Sequence, residues 1–377
     1  MEVMRVVQQP DLMPYYPKKR ALKRGIDLAW GKKQITASVT SSILQGKSIK
    51  GMADDLQRRI TTMNRDSAIR TARTAVTGAQ NAGRMDGYAE AAALGIKVEK
   101  RWVAVKDNRT RHDHGMADGQ IVPFDKPFLV GGEKLMFPGD RNGSGWNIYN
   151  CRCTTVTGND LSLEAEPTMI RVRDPVTGRN VVVPEMTYQE WAKQKQAENK
   201  TAWDTYMKKG KNLSSDKKQW REYREILGKN VPDTLDSFQN MKYNEPEKWG
   251  LIKLDKRRRD SLKACPELAL PGDKKTAETE KFTKYLFNQD NPHGRAKGTA
   301  FSSRLGYTVD NYDAMRREIF AGARRNPVVS KGDNGFGVIY EQKMILYGIN
   351  GNPANVTVGW IYKDGVARMT TAYISGV

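Results

Sequence analysis

Apolar residues recur at every fourth position in Ile35, Val39 and Ile43, and Gly46 follows, which predicts an amphipathic helix closed by a glycine. Ser48 then stands as the N-cap of a second helix with Met52, Leu56, Ile60 and Met63 along one face. Between residues 66 and 94 an alanine stripe (Ala68, Ala72, Ala75, Ala79, Ala82) steps by four and three, lining one helix face with small side chains that let a neighbour approach. Gly78, Gly83 and Gly87 cost helix propensity and weaken the case for a single straight helix there. From Lys97 the texture becomes short apolar runs broken by Pro123, Pro127, Gly131, Gly132 and Pro138, the mark of a small strand-rich unit. RVRDPVTGRNVVVPEMTYQEWAKQ reads as a hairpin leading into a helix. Residues 200–262 are polar and helical, with Trp203, Tyr206, Trp220, Tyr223 and Leu227 as their core, and end in the basic run LDKRRRDSLK. The last hundred residues place helices before four strands, GFGVIYE, KMILYGI, NVTVGWIY and VARMTTAYI.

The expected class is α+β: a helical N-terminal region, a small strand-rich unit, a helical linker and a C-terminal domain with a twisted antiparallel sheet. Boundaries are expected at an irregular arm over 1–30, a first domain over 31–160, a hairpin and basic helical linker over 161–267, and a last domain over 268–377. The formal charge is +20, spread along the chain rather than gathered in one tail, which favours nucleic acid through its phosphates. A solvated surface that only keeps the protein in solution is the competing reading. No apolar run reaches the ~20 residues of a membrane span, and the N-terminus lacks the apolar segment of a secretory signal, so no membrane anchor or export is expected. Three cysteines, Cys151, Cys153 and Cys265, do not make a disulfide framework and suit a reducing cytoplasm.

Cys151 and Cys153 form a C-x-C, and His112 and His114 an H-x-H. Together they offer four N/S donors, enough for a tetrahedral structural zinc, and alternate residues on a strand would turn each pair to one side. Asp107 or Asp113 could take the place of His112. The plainer alternative makes the thiols small buried hydrophobes and His114 a hydrogen-bonded turn anchor; a catalytic Cys–His pair is a third.

The order Trp102, Asp107-x-Arg109-Thr110-Arg111, His114, Asp118-Gly119-Gln120, Pro138-Gly139-Asp140 and Asn150-Cys151-Arg152-Cys153 resembles Mu-F-like phage head-morphogenesis proteins over roughly residues 35–157. The upstream TARTAVTGAQNAGRMDGY resembles that family's Arg-Thr-Glu helix, with Ala75 where an acid is usual. The resemblance implies a minor head protein of a tailed bacteriophage. Its implied location is the virion head, after assembly in the bacterial cytoplasm. The portal protein, other head proteins and packaged DNA are the implied partners.

KYLFNQDNPHGRAKGTAFSSRLGYTVDNYDAMRREI, with the later GWIY and RMTTAY, resembles the small barnase/EndoU/colicin/RelE-like nuclease domains of bacterial toxins. Such a domain implies metal-independent cleavage of host RNA. His293 supplies an imidazole, the side-chain type suited to general acid–base work. If the helix starts near Pro292, Lys297 lies four residues on over the same face. Arg295 could reach a phosphate, and Thr370 and Thr371 beside Arg368 would form a polar wall opposite. The candidate catalytic set is His293, Lys297, Arg368 and Thr371; Tyr307 and Trp360 are core residues or base-stacking platforms. The alternative is an inert domain used for binding or structure.

Overall fold

The computed structural model describes residues 28–60, 62–158, 169–288 and 290–376, so all but the end of the expected N-terminal arm lies outside the described residues. The chain divides into two compact units, one ending at Lys211 and the other beginning at Asn212. The fold is α+β throughout.

The first unit opens with helices α1 (Leu28–Leu44), α2 (Ile49–Arg59) and α3 (Arg65–Ala93). The Ser48 hydroxyl caps α2 by accepting the Gly51 N–H, and the Asn64 side-chain oxygen caps α3 by accepting the Ser67 N–H. Met52, Ala53 and Leu56 of α2 bury themselves against Ala68 and Ala72, so the front of the alanine stripe is core, as its spacing predicts. Contrary to the expectation from its glycines, α3 runs unbroken for 29 residues. Gly83 and Gly87 face open space and cost only helix propensity, whereas Gly78 meets the Gly139 backbone, where a Cβ would sit 3.0 Å from the Gly139 oxygen.

Strand β1 (Glu99–Val103) is the centre of a three-stranded antiparallel sheet, between β2 (Ile121–Pro123) and β5 (Thr154–Thr157). Helix α4 (His112–Ala117), the hairpin β3 (Phe128–Val130) and β4 (Glu133–Leu135), and the single turn α5 (Gly145–Ile148) complete a core of Trp102, Ala104, Ala117, Phe128, Val130, Leu135, Cys151 and Cys153. The hairpin β6 (Met169–Arg173) and β7 (Asn180–Pro184) leads into α6 (Tyr188–Glu198) and α7 (Lys200–Lys211), as read from the sequence. A capping box of Thr187 and Glu190 starts α6. These two helices pack Tyr188, Trp191, Trp203 and Tyr206 onto Val172, and Asp118 accepts the Tyr188 N–H at 2.6 Å. Residues 169–211 thus pack within the first unit.

In the second unit, α8 (Leu213–Leu227), α9 (Leu235–Asn244) and α10 (Pro246–Ala264) enclose Tyr223, Phe238, Met241, Trp249 and Ile252. The five-stranded sheet has the order β8-β12-β11-β10-β9, from β8 (Lys274–Thr276), β9 (Val328–Asp333), β10 (Val338–Tyr347), β11 (Pro353–Lys363) and β12 (Val366–Ile374). It is antiparallel except that β8 runs parallel to β12. A π-helical turn (Lys281–Leu286), α11 (Arg295–Leu305) and α12 (Tyr312–Ala323) cover one face around Phe282, Phe301, Ile319, Met344, Val358 and Trp360. Helix α10 is tied to the sheet: the Tyr347 hydroxyl donates to Asp255 at 2.8 Å, and Arg258 donates to Asn355 at 2.8 Å. Residues 212–264 therefore pack within the second unit.

Candidate functional sites

The loop after α5 carries Cys151 and Cys153 beneath α4, where His114 points inward. All three are buried, and their ligand atoms lie within 4.8 Å of one another. His114 Nδ1 stands 3.3 Å from the Cys153 sulfur and 3.6 Å from that of Cys151. Its Nε2 is 2.7 Å from the Asn147 carbonyl oxygen. The Asn147 amide is oriented by its own donations, to the Val130 oxygen at 3.1 Å and to Glu133 at 2.9 Å. Asn147 therefore accepts from Nε2–H, and the Nδ1 lone pair faces the two sulfurs. Trp102 packs edge-on against the His114 ring. The hydrogen bond from the Cys153 thiol pulls the Cys151 thiol down to about 5 against the opposing effect of burial, with His114 helping. That same bond, followed by burial, pushes Cys153 well above the usual thiol range. One sulfur of the pair is thus the natural holder of negative charge. This group could hold a metal ion.

His112 is not brought into the group: it is exposed and faces Asp113 at 3.4 Å. The pair lies on a helix rather than a strand, where residues two apart diverge around the axis. Asp107, the alternative donor, is engaged by Arg152 at 2.5 and 2.7 Å, and those contacts hold its carboxyl below the usual range against the larger, opposing effect of burial.

Sequence reading missed the residue that assembles this region. Asn81, on the buried face of α3, donates to the carbonyls of Pro138 at 3.1 Å and Cys153 at 3.3 Å, and accepts from the Thr155 N–H at 3.1 Å. Thr77, one turn earlier, donates to the Cys151 oxygen at 2.9 Å. Lys100 was missed as well. It is fully buried on β1, donates to the Met136 oxygen at 2.7 Å, and lies 5.0 Å from the centre of the Phe128 ring. Burial lowers its pKa to about 8 although Asp125 and Asp140 oppose the shift. An asparagine and a lysine among polar neighbours carry no periodic signal that marks them as interior.

In the second unit, α11 seats its first turn directly on the π-helical turn. A Cβ on Gly294 or Gly298 would lie 1.7 Å from the Tyr285 oxygen or 1.9 Å from the Leu286 oxygen. That approach brings the Lys297 ammonium to 3.4 Å from the Thr371 hydroxyl and 3.5 Å from the Tyr285 hydroxyl. It also stands 5.6 and 5.8 Å from the ring centres of Tyr285 and Tyr373. A bulge opposite Gly359 and Trp360 breaks the alternation of β12, with Ala367, Met369 and Ala372 entering the core. Arg368 and Thr371, three apart, consequently share the face turned away from that core. His293 is not in the helix: α11 begins at Arg295, and the Asn291 side chain holds the preceding turn by accepting the N–H groups of His293 and Gly294 at 3.0 Å. The four-residue spacing to Lys297 thus places nothing, and His293 and Arg295 are exposed. Tyr307 and Trp360 are core residues. Tyr307 donates to Glu318, and Trp360 donates to Gln342 at 3.1 Å.

Residues 33–156 match the family described as Phage Mu protein F like protein, and residues 270–376 match a domain family of unknown function, DUF6883. The first unit therefore contains a Mu F-like domain. The chain is 29% identical over 197 residues to Minor head protein GP7 of Bacillus phage SPP1, covering 52% of this chain and 60% of that protein. It is 33% identical over 138 residues to NAD(+)--arginine ADP-ribosyltransferase EFV of Enterococcus faecalis, covering 37% of this chain and 27% of that one. Less than two thirds of either relative is thus spanned. A solved contact-dependent growth inhibition toxin–immunity complex from Klebsiella pneumoniae 342 aligns with 26% of the chain and 98% of its own at 18% identity and a TM-score of 0.23. That score is too low to bear on the fold. Among the described residues no helix is long and apolar enough to cross a membrane.

Proposed function

We propose that this chain is a minor head protein of a tailed bacteriophage, built into the virion head during assembly in the bacterial cytoplasm. The observation that carries the reading is the Mu F-like domain over residues 33–156, together with the similarity to a phage minor head protein across half the chain. Its partners are then other head proteins and the portal protein. The formal charge of +20 supports contact with packaged DNA, through phosphates and without regard to sequence. Mass spectrometry of particles induced from a host carrying the gene tests this. A few copies per particle are expected, and particles without the chain would refute it.

The C-terminal unit we read as an effector that acts on host RNA. Lys297 and Thr371 supply the cation and hydroxyl for a phosphodiester, and Arg368 adds a second cation on the same face of β12. His293, exposed just before α11, is the imidazole offered as proton carrier. Transfer RNA incubated with the full chain in chelator should be cut, and Lys297→Ala and Thr371→Ala should each slow cleavage by about a hundredfold. Intact RNA at high protein concentration would leave an inert domain that serves binding or structure alone.

A further inference from the structure

We propose that His114, Cys151 and Cys153 bind a thiophilic divalent cation of the zinc class, through three protein ligands and a fourth position taken by water. The spacing already fits. Bonds of about 2.3 Å to sulfur and about 2.05 Å to nitrogen at tetrahedral angles put neighbouring ligand atoms about 3.6 Å apart. His114 Nδ1 stands 3.3 and 3.6 Å from the two sulfurs.

The outer contacts are those a metal-binding imidazole requires. Glu133 orients Asn147, and the Asn147 side-chain oxygen accepts the hydrogen bond from Nε2–H, so the histidine is fixed in the tautomer whose lone pair faces both sulfurs. A buried histidine that served only as a turn anchor would need no such orientation toward two thiols. The Trp102 indole N–H is fully buried in the same core as Cys153 and has no conventional hydrogen-bond partner among the described residues. It becomes useful when the neighbouring sulfur carries permanent negative charge.

Charge completes the case. A divalent cation bound to the two sulfurs displaces their protons to solvent, and the set of two thiolates and one neutral imidazole is electrically neutral around it. Arg152 is near enough to feel the charge of the two sulfurs, but its guanidinium is paired with Asp107. Both cysteine carbonyls are held by α3, through Thr77 and Asn81. A bound cation would therefore tie α4, the cysteine loop and α3 together, where the protein has a small core and no disulfide.

The full chain, purified without chelator, should retain about one equivalent of zinc by elemental analysis, and exchange for cobalt should give a thiolate-to-cobalt charge-transfer band. Cys151→Ser and Cys153→Ser should abolish both signals while Cys265→Ser keeps them. Asn147→Ala leaves all three ligands in place and should weaken affinity about 10–100-fold, a readout that survives if a cysteine variant fails to fold. A folded wild-type chain that holds less than about a tenth of an equivalent and shows no band with excess cobalt overturns the proposal. Undiminished metal in the Cys151→Ser, Cys153→Ser double variant does so equally.

Discussion

Asn81 and Lys100 show how much a single buried polar side chain can organise. Asn81 satisfies two loop carbonyls and a strand N–H at once, so Asn81→Ala strips partners from groups that water cannot reach. A loss of about 2–4 kcal/mol is expected in urea unfolding, with Asn81→Asp no better because a carboxylate cannot donate to the carbonyls. Lys100 predicts a pH dependence with a definite sign. Its folded pKa, about 8, lies below the usual 10.5, so between those values the unfolded chain holds the extra proton. Stability attributable to this group is flat below pH 8 and rises from there toward pH 10.5, by at most about 1.4 kcal/mol per pH unit. Compared with Lys100→Met, which lacks the titration, the wild type should gain melting temperature over that interval; parallel curves would show that the amine is not desolvated.

At the scale of elements, helix α3 is a long rod whose glycines have unequal jobs. Gly83 is exposed with nothing within 4 Å of a built Cβ, so Gly83→Ala should stabilise the chain by about 0.5–1 kcal/mol through helix propensity alone. Gly78 touches the Gly139 backbone, and Gly139 itself has φ +84, so neither partner can move away cheaply. Gly78→Ala should therefore fail to show that gain, and Gly78→Val should destabilise by about 2 kcal/mol or more in thermal melts. The same logic governs α11, where Gly294 and Gly298 let the helix sit on the Tyr285 and Leu286 backbone and so deliver Lys297 to Tyr285. The bulge in β12 is the other element-level device, since regular alternation would have sent Arg368 and Thr371 to opposite faces.

For the whole molecule, the two units change what counts as a domain. Residues 212–377 carry a helical core continuous with the sheet through Tyr347 and α10. Expressed alone, that segment should melt in one cooperative transition, whereas residues 268–377 lose the partners of Tyr347 and Asn355 and should melt lower by several degrees or fail to fold. Equal melting of the two pieces would restore the view of residues 212–264 as a mere linker. The net charge of +20 belongs to this scale as well: binding to mixed-sequence DNA should weaken steeply as salt rises and show no preferred site in gel-shift titrations.

The first helices and the hairpin before α6 were legible because period and capping are local properties, carried by residues such as Ile35, Ser48 and Leu56, whereas the sequence split β10 into two strands and marked neither β8 nor β9. The ordered run from Trp102 to Cys153 was legible for a different reason, namely that rare residue types at fixed spacings mark a family. By itself the amino-acid sequence determined the α+β class, the helix faces and the Mu F-like domain. Only the tertiary structure decided that His114 joins the cysteines while His112 does not, and that α3 runs on through its glycines. The same is true of the division at Lys211 and of the meeting of Lys297 with Thr371. Each of those depends on contacts between residues tens of positions apart, and burial of a polar side chain leaves no mark in its immediate neighbours along the chain.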